Sequence, residues 1–416
     1  MKAISVREAP LLKGVIKIQG SKNTVLPIMA ATILTSGVSV IYNCPDISDV
    51  RVMCELLHCL SIDTSFDNNK LTIDTRHASY GRLPFEVTSM LRSSVLMLGP
   101  MLARWNKAEI GLPGGCSIGK RPIDIHLEGL QKMNVDTSCD NGSLNCSSFY
   151  LQGCDFSLRY PSVGATENLL MAAVGARGRT VLRGAAKEPE IIELCNYLMS
   201  IGVLIEGVGT DVLVIKGTSC LTVSDYVNVY DRIVAGTYML MASAIRSDIR
   251  LDGIDDIHYM KNIIRIVSKL GANVIKLDNC IHVQSCGAVN GGDFSTGIYP
   301  EFPTDLQPVL IATLLKADNI SSVTETVFEN RFSVVDELIK LNAHIDKCGQ
   351  KVVVHGGDML YGHTVKTTDL RQGAALVVAG LLAKGYTTIT NISYIERGYE
   401  DIVKDLRGVG VSISYI

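Results

Sequence analysis

The 416-residue chain is long enough for two sizeable domains, and its 47% hydrophobic and 19% charged residues are ordinary for globular cores. A net charge of −3 argues against generic binding to nucleic acid or anionic membranes, so any phosphate recognition must come from locally converging Arg and Lys. The opening MKAISVREAP lacks an apolar secretion signal, and the 12 cysteines include no C-x-x-C, so they are expected to be reduced, core-filling thiols of a cytoplasmic protein. The 8 histidines show no ligand spacing, and neither a metal site nor a cofactor is expected.

Along the chain, residues 24–44 are uncharged, which raises the question of a membrane span. Pro27, Ser36, Gly37 and Asn43 interrupt the stretch, and it reads as helix, turn and strand. One pattern then recurs six times at roughly 65–75 residues: an apolar helix, a turn, a strand, an amphipathic helix and two short strands. The first helices are predicted at 23–34, 88–103, 165–174, 235–244, 306–315 and 373–383. All six are apolar nearly all round, which marks helices buried inside a domain. The amphipathic helices are predicted at 50–60, 123–133, 189–201, 260–270, 333–341 and 400–409. Six units suggest three per domain, with a crossing near Tyr230–Arg232 and ligands favoured at the interface between the halves.

The most unusual stretch runs from Gly111 to Leu130, GLPGGCSIGKRPIDIHLEGL. Its Gly and Pro forbid regular structure around Cys116, and a thiol beside Lys120 and Arg121 is one whose anion is favoured. Gly114 to Lys120 also reads G-x-x-x-x-G-K, most of a phosphate-binding loop. The next residue is Arg121 rather than Ser or Thr, and a guanidinium cannot hold magnesium, so an NTPase is rejected while an anion-binding role survives.

Several patches line up with that stretch: S-K-N at Ser21–Asn23, L-R-S at Leu91–Ser93, S-V-G-A-T at Ser162–Thr166, D-R-I at Asp231–Ile233, F-P-T-D at Phe302–Asp305, E-N-R-F at Glu329–Phe332, D-L-R at Asp369–Arg371 and R-G-Y-E at Arg397–Glu400. Together they resemble the enolpyruvyl transferase family over essentially the whole chain. The Cys loop and F-P-T-D resemble its branch acting on UDP-N-acetylglucosamine at the first committed step of peptidoglycan synthesis. The resemblance implies a two-domain inverse α/β barrel-like fold of six repeats with buried central helices. One domain is 1–20 with 231–416, the other 21–230, and the active site lies in the cleft between them.

It further implies two small-molecule partners, phosphoenolpyruvate and UDP-N-acetylglucosamine, with no nucleic acid, membrane or metal. Phosphoenolpyruvate would meet Lys22, Asn23, Arg92, Arg121, Arg331, Arg371 and Arg397; guanidiniums suit its carboxylate and phosphate through paired hydrogen bonds. Cys116 would be the general acid, Asp305 the base on the sugar 3-hydroxyl, and Asp369 part of the proton relay, with Lys22 and Arg397 stabilising charge. The nucleotide sugar would contact Arg92, Arg121, Pro122, Ile123, Asp124, Ile125, Ser162, Val163, Gly164, Asp305 and Val327. Taken alone, Asp305 before an apolar run also reads as a helix N-cap, and so does Asn23. Tyr160 stands where the family often has lysine. The alternative readings are the shikimate-pathway transferase and a non-catalytic UDP-sugar-binding paralogue.

Overall fold

The computed structural model describes residues 2–114, 123–140 and 142–416. The chain divides into two compact units: a discontinuous one built from residues 2–19 and 230–416, and a continuous one built from 20–114 and 123–229. Each has its own apolar core.

The repeats are visible in the sheets. In the discontinuous unit, Arg246–Asp252 pairs parallel with Leu12–Lys17 on one side and antiparallel with Cys280–Cys286 on the other, which in turn pairs with Asn273–Leu277. The same order recurs around Ile320–Thr324. In the last repeat the N-terminal strand Ile4–Arg7 lies between Tyr386–Thr390 and Ile413–Tyr415, antiparallel to both. The chain start thus supplies the strand that the chain end lacks, and this makes the unit discontinuous. The continuous unit repeats the scheme, except that beside Lys107–Gly111 the parallel strand shrinks to a single bridge, Leu83 to Ile110.

The central helices are buried on all sides, as their composition requires. Every residue of Gln307–Leu314 and of Leu370–Leu382 is buried. Their few hydroxyls are satisfied internally: Thr237 Oγ1 donates to the Ile233 carbonyl at 2.9 Å and Thr313 Oγ1 to the Val309 carbonyl at 3.0 Å, the i−4 bonding that lets Ser and Thr sit inside a helix. Close packing needs glycine at Gly99, where a Cβ would lie 2.2 Å from the Asn168 carbonyl.

Four of the six central helices start at a side-chain cap: Ser21, Ser162, Asp231 and Asp369. The other two begin with 3-10 turns and no side-chain cap, Arg92–Met97 and Thr304–Leu306. The predicted continuous helix at 88–103 is therefore corrected to a helical turn Phe85–Thr88, the 3-10 segment and a helix Leu98–Trp105. Apolar periodicity cannot separate these, because 3-10 and α turns bury the same stripe over so short a run. The strand that precedes the crossing is short, Tyr226–Val227. Residues 24–44 form the end of helix Lys22–Ala31, a 3-10 turn and the strand Val38–Tyr42, and no helix among the described residues is long and apolar enough to cross a membrane.

The cysteines need a second correction. Burial pushes the thiols of Cys146 and Cys195 up to about 12, as expected of core residues. Cys139, Cys220, Cys286 and Cys348 are exposed. Three of these lie on strands, where the two-residue period turns an otherwise apolar position outward.

Candidate active site

The most tightly built cluster of expected site residues lies in the discontinuous unit, around Asp305. Pro303 is extended and leads into the 3-10 turn Thr304–Leu306. This lifts the Asp305 carboxylate off the helix axis, and it makes no capping bond. Instead Oδ1 accepts from Arg331 Nη2 and Oδ2 from Arg371 Nη2, both at 2.7 Å. The guanidinium side chains are 3% and 8% exposed against 24% for the carboxylate, so Asp305 is the member that faces outward. One charge-assisted bond to each oxygen fixes the plane of the carboxylate.

Both arginines are themselves held. Arg331 Nη1 donates to Thr304 Oγ1 at 2.9 Å, and that hydroxyl donates to Glu325 Oε2 at 2.8 Å. The other oxygen of Glu325 accepts the backbone N–H of Val327 at 2.8 Å and of Phe328 at 3.1 Å. Glu325 therefore ties the Val327 turn to the Asp305 clamp. Arg371 sits in the first turn of Leu370–Leu382, where Asp369 Oδ1 accepts its N–H and that of Gln372 at 2.9 Å. Burial is the largest single influence and pulls the Arg371 guanidinium down, but Asp305, Tyr399 and Asp231 together outweigh it and the group ends above its ordinary value. Tyr399 is packed beside it, its hydroxyl 2.9 Å from Thr237 Oγ1 and its ionisation pushed up to about 12 by burial. Arg397 ends the 3-10 segment Ile392–Arg397 and is half-buried.

In the continuous unit, Ser21 caps the helix Lys22–Ala31, so capping is not the use of Asn23. The Lys22 ammonium, nearly buried, pairs with Asp49 Oδ2 at 2.5 Å. Ile123 precedes the helix Asp124–Lys132, and Asp124 pairs with Arg159, which also holds Glu128 Oε1 at 2.7 Å. Ser162 caps Val163–Val174 by accepting from the Ala165 N–H, so Val163 and Gly164 form its first turn, where backbone N–H groups favour a phosphate. Behind these two helix starts lies His126. Asn168 Nδ2 donates to His126 Nδ1 at 3.0 Å and to the Val95 carbonyl at 2.9 Å, while Asn168 Oδ1 accepts the Gly99 N–H at 2.5 Å. With Nδ1 accepting, the ring proton sits on Nε2. Burial, joined by the Arg92 cation and opposed by Asp124, lowers His126 to about 4, so the ring is neutral at physiological pH.

Asp305, Arg331, Arg371 and Asp369 thus meet in one cluster, with Val327 tied to it. Arg92 and Asp124 act on His126 in opposite senses, and Ile123, Ile125, Ser162, Val163 and Gly164 occupy the helix starts around it. Cys116, Arg121 and Pro122 lie outside the described residues. The sequence reading missed Asp49, Arg159, Thr304, Glu325, His126 and Asn168. Two of these had a local signal: His126 as the one imidazole in the stretch Gly111–Leu130, and Thr304 as a member of F-P-T-D.

A buried-helix repeat fold with a carboxylate clamped between arginines defines a class, and residues 6–406 match the model of the EPSP synthase (3-phosphoshikimate 1-carboxyvinyltransferase) family. The chain belongs to this family of enolpyruvyl transferases. Within it, the chain is 40% identical to UDP-N-acetylglucosamine 1-carboxyvinyltransferase 1 of Halalkalibacterium halodurans, covering 100% of this chain and 95% of that protein. It is 41% identical to UDP-N-acetylglucosamine 1-carboxyvinyltransferase 2 of Clostridium tetani, covering 99% of each. The fold is shared with the enolpyruvyl transferase NikO from Streptomyces tendae, at a TM-score of 0.90 and 23% identity over 100% of this chain and 98% of that one. EPSP synthase from Acinetobacter baumannii follows at 0.76 and 17% identity, with 100% of both chains covered.

Proposed function

We propose that the chain transfers the enolpyruvyl group of phosphoenolpyruvate to the 3-hydroxyl of UDP-N-acetylglucosamine. The observation that carries this is Asp305, an outward-facing carboxylate whose two oxygens are each fixed by a buried arginine at 2.7 Å. A sugar hydroxyl is a weak nucleophile, and a positioned carboxylate is what it needs.

In the reaction the Cys116 thiol delivers a proton to the methylene carbon of phosphoenolpyruvate. The sugar oxygen bonds to C2 as Asp305 takes the hydroxyl proton, giving a tetrahedral phospholactyl ether. The methyl group then loses a proton to a base, a step in which Asp369 takes part, and the C2–O bond to phosphate breaks. The products are the enol ether and inorganic phosphate, and the protons balance. Arg331 and Arg371 position Asp305, and a guanidinium carries five donors, so each keeps others for the anion. Lys22, Asn23, Arg92, Arg121 and Arg397 supply the remaining contacts to phosphoenolpyruvate. The nucleotide sugar lies along Arg121–Ile125 and Ser162–Gly164, with Val327 near its sugar.

The test is phosphate release by the purified protein from phosphoenolpyruvate, with no metal added. Release is expected with UDP-N-acetylglucosamine and not with shikimate 3-phosphate. Release with shikimate 3-phosphate alone overturns the assignment of the acceptor, and release with neither overturns catalysis in favour of a binding protein.

A further inference from the structure

On the outer face of the sheet around Ile320–Thr324, three side chains of metal-ligand type converge that the reaction does not use. His344 and Asp346 lie on the edge strand His344–Cys348, separated by the buried Ile345. Their two-residue spacing points both to the same face. His355 lies on the neighbouring strand Lys351–His355, directly opposite His344. Directly opposed side chains start from Cβ atoms about 4.5–5.5 Å apart. Two residues spaced by two on one strand, plus the partner opposite the first, therefore surround one point above the sheet. The imidazole rings of His344 and His355 stack with centroids 4.0 Å apart. His355 Nε2 lies 2.8 Å from Asp346 Oδ2. One ligand atom from each residue lies within 4.8 Å of the other two.

We propose that His344, Asp346 and His355 form a surface site for a borderline divalent transition metal ion of the zinc type, with water completing the coordination. Two imidazoles and one carboxylate are a common zinc donor set, with an open position when only three protein ligands are present. Calcium asks for six or more oxygens, which this face does not offer. Ligand atoms on one tetrahedral zinc, each about 2.0–2.1 Å from the ion, sit about 3.3 Å from one another. Side-chain rotation closes the gap from 4.8 Å without moving the strands, because His344 and Asp346 are exposed and His355 is half-exposed. The ion would staple an edge strand to its neighbour, at the place where a sheet otherwise offers unpaired backbone. The ordinary alternative is a His355–Asp346 ion pair with a stacked ring and no affinity for metal. Cys348, exposed on the same strand two residues beyond Asp346, is the thiol that could compete.

Cobalt(II) is the probe, because thiolate ligation adds an intense charge-transfer absorption that imidazole and carboxylate do not. The full-length protein, stripped with EDTA, is titrated with Co²⁺ and then with Zn²⁺. One equivalent of Co²⁺ is expected, showing d–d bands alone and displaced by Zn²⁺. His355→Ala and Asp346→Ala should weaken binding at least about tenfold, the lower bound for disturbing even a supporting group of a metal site. Cys348→Ser should bind as before, and turnover should be unchanged in all three variants. No bound equivalent, equal affinity in His355→Ala and Asp346→Ala, or a charge-transfer band that Cys348→Ser removes would each overturn the site.

Discussion

Replacing Asp305 with Asn separates the two things the clamp does. The side chain keeps its shape but loses its charge. One amide oxygen can still accept from one arginine, while the amide NH₂ is left facing the other guanidinium, a donor against a donor. Arg331 and Arg371 are then buried cations without their counter-ion. Removing one partner of a buried pair costs about 3–5 kcal/mol. Asp305 is itself 24% exposed, so the low end, about 3 kcal/mol, is expected. That corresponds to a fall in melting temperature of about 6–12 °C for a unit of this size. A domain with about 5–15 kcal/mol of stability remains folded at 25 °C, so activity can be read per folded molecule. Turnover should fall by about 10²–10⁴, the usual worth of a general base. Read from the sequence as a helix cap, Asp305 would lose little stability on the same change, since Asn also caps. The assay is denaturant unfolding beside steady-state phosphate release. An unchanged unfolding midpoint would refute the clamp, and turnover within about tenfold of the parent would refute the base.

Three further outcomes are expected. His126 is held near 4 against an ordinary 6.5, so the unfolded chain takes up a proton that the folded chain refuses. Stability is therefore lost as pH falls from about 6.5 towards 4, by up to about 3 kcal/mol; His126→Gln should flatten that part of the unfolding profile, and an unchanged slope would show that another group sets it. Burial raises Asp405 to about 6, opposed by the hydrogen bond from Tyr238, so the folded state prefers the protonated acid and stability is lost as pH rises through about 6. Asp405→Asn keeps an acceptor for the Tyr238 hydroxyl, 2.7 Å away, and should stabilise the protein at pH 7.5 by up to about 3 kcal/mol, whereas a lower melting temperature would contradict the cause assigned. Fosfomycin, a small anionic epoxide, should alkylate Cys116 alone, faster with UDP-N-acetylglucosamine present, and Cys116→Asp should abolish labelling while keeping some turnover; because Cys139, Cys220, Cys286 and Cys348 are exposed, peptide masses showing label on any of them would mean that exposure rather than an activated thiol governs the reaction.

The parts of this molecule legible in its sequence are those with a local cause. Gln307–Leu314 is apolar on every side, so it could only be a buried helix, and it is. Such a signal recurring six times revealed the repeats. What the sequence hid depends on contacts between distant segments. Lys22 reads as a free cation for an anionic substrate, and nothing near it announces Asp49 from the next helix. Arg331 and Arg371 read as anion-binding residues, while the fold brings both onto Asp305 from 26 and 66 residues away. Glu325 reads as one more acid after a strand, yet it accepts three hydrogen bonds that fix Thr304 and the Val327 turn. The cluster of His344, Asp346 and His355 escapes any search by helical ligand spacing, because strand pairing creates it. The break between Thr88 and Arg92 was missed because a 3-10 segment carries the same apolar residues as the helix it replaces.

The most direct test of the central claim follows the carbon. Phosphoenolpyruvate labelled with ¹³C at C2 and C3 is incubated with the protein and UDP-N-acetylglucosamine, and the products are read by NMR. The reaction proposed here predicts an enol ether at the sugar 3-oxygen, with one inorganic phosphate released per sugar converted and the whole signal lost in Asp305→Asn on the same timescale. Label that remains in phosphoenolpyruvate, passes to pyruvate, or forms an enol ether only when shikimate 3-phosphate replaces the nucleotide sugar would contradict it.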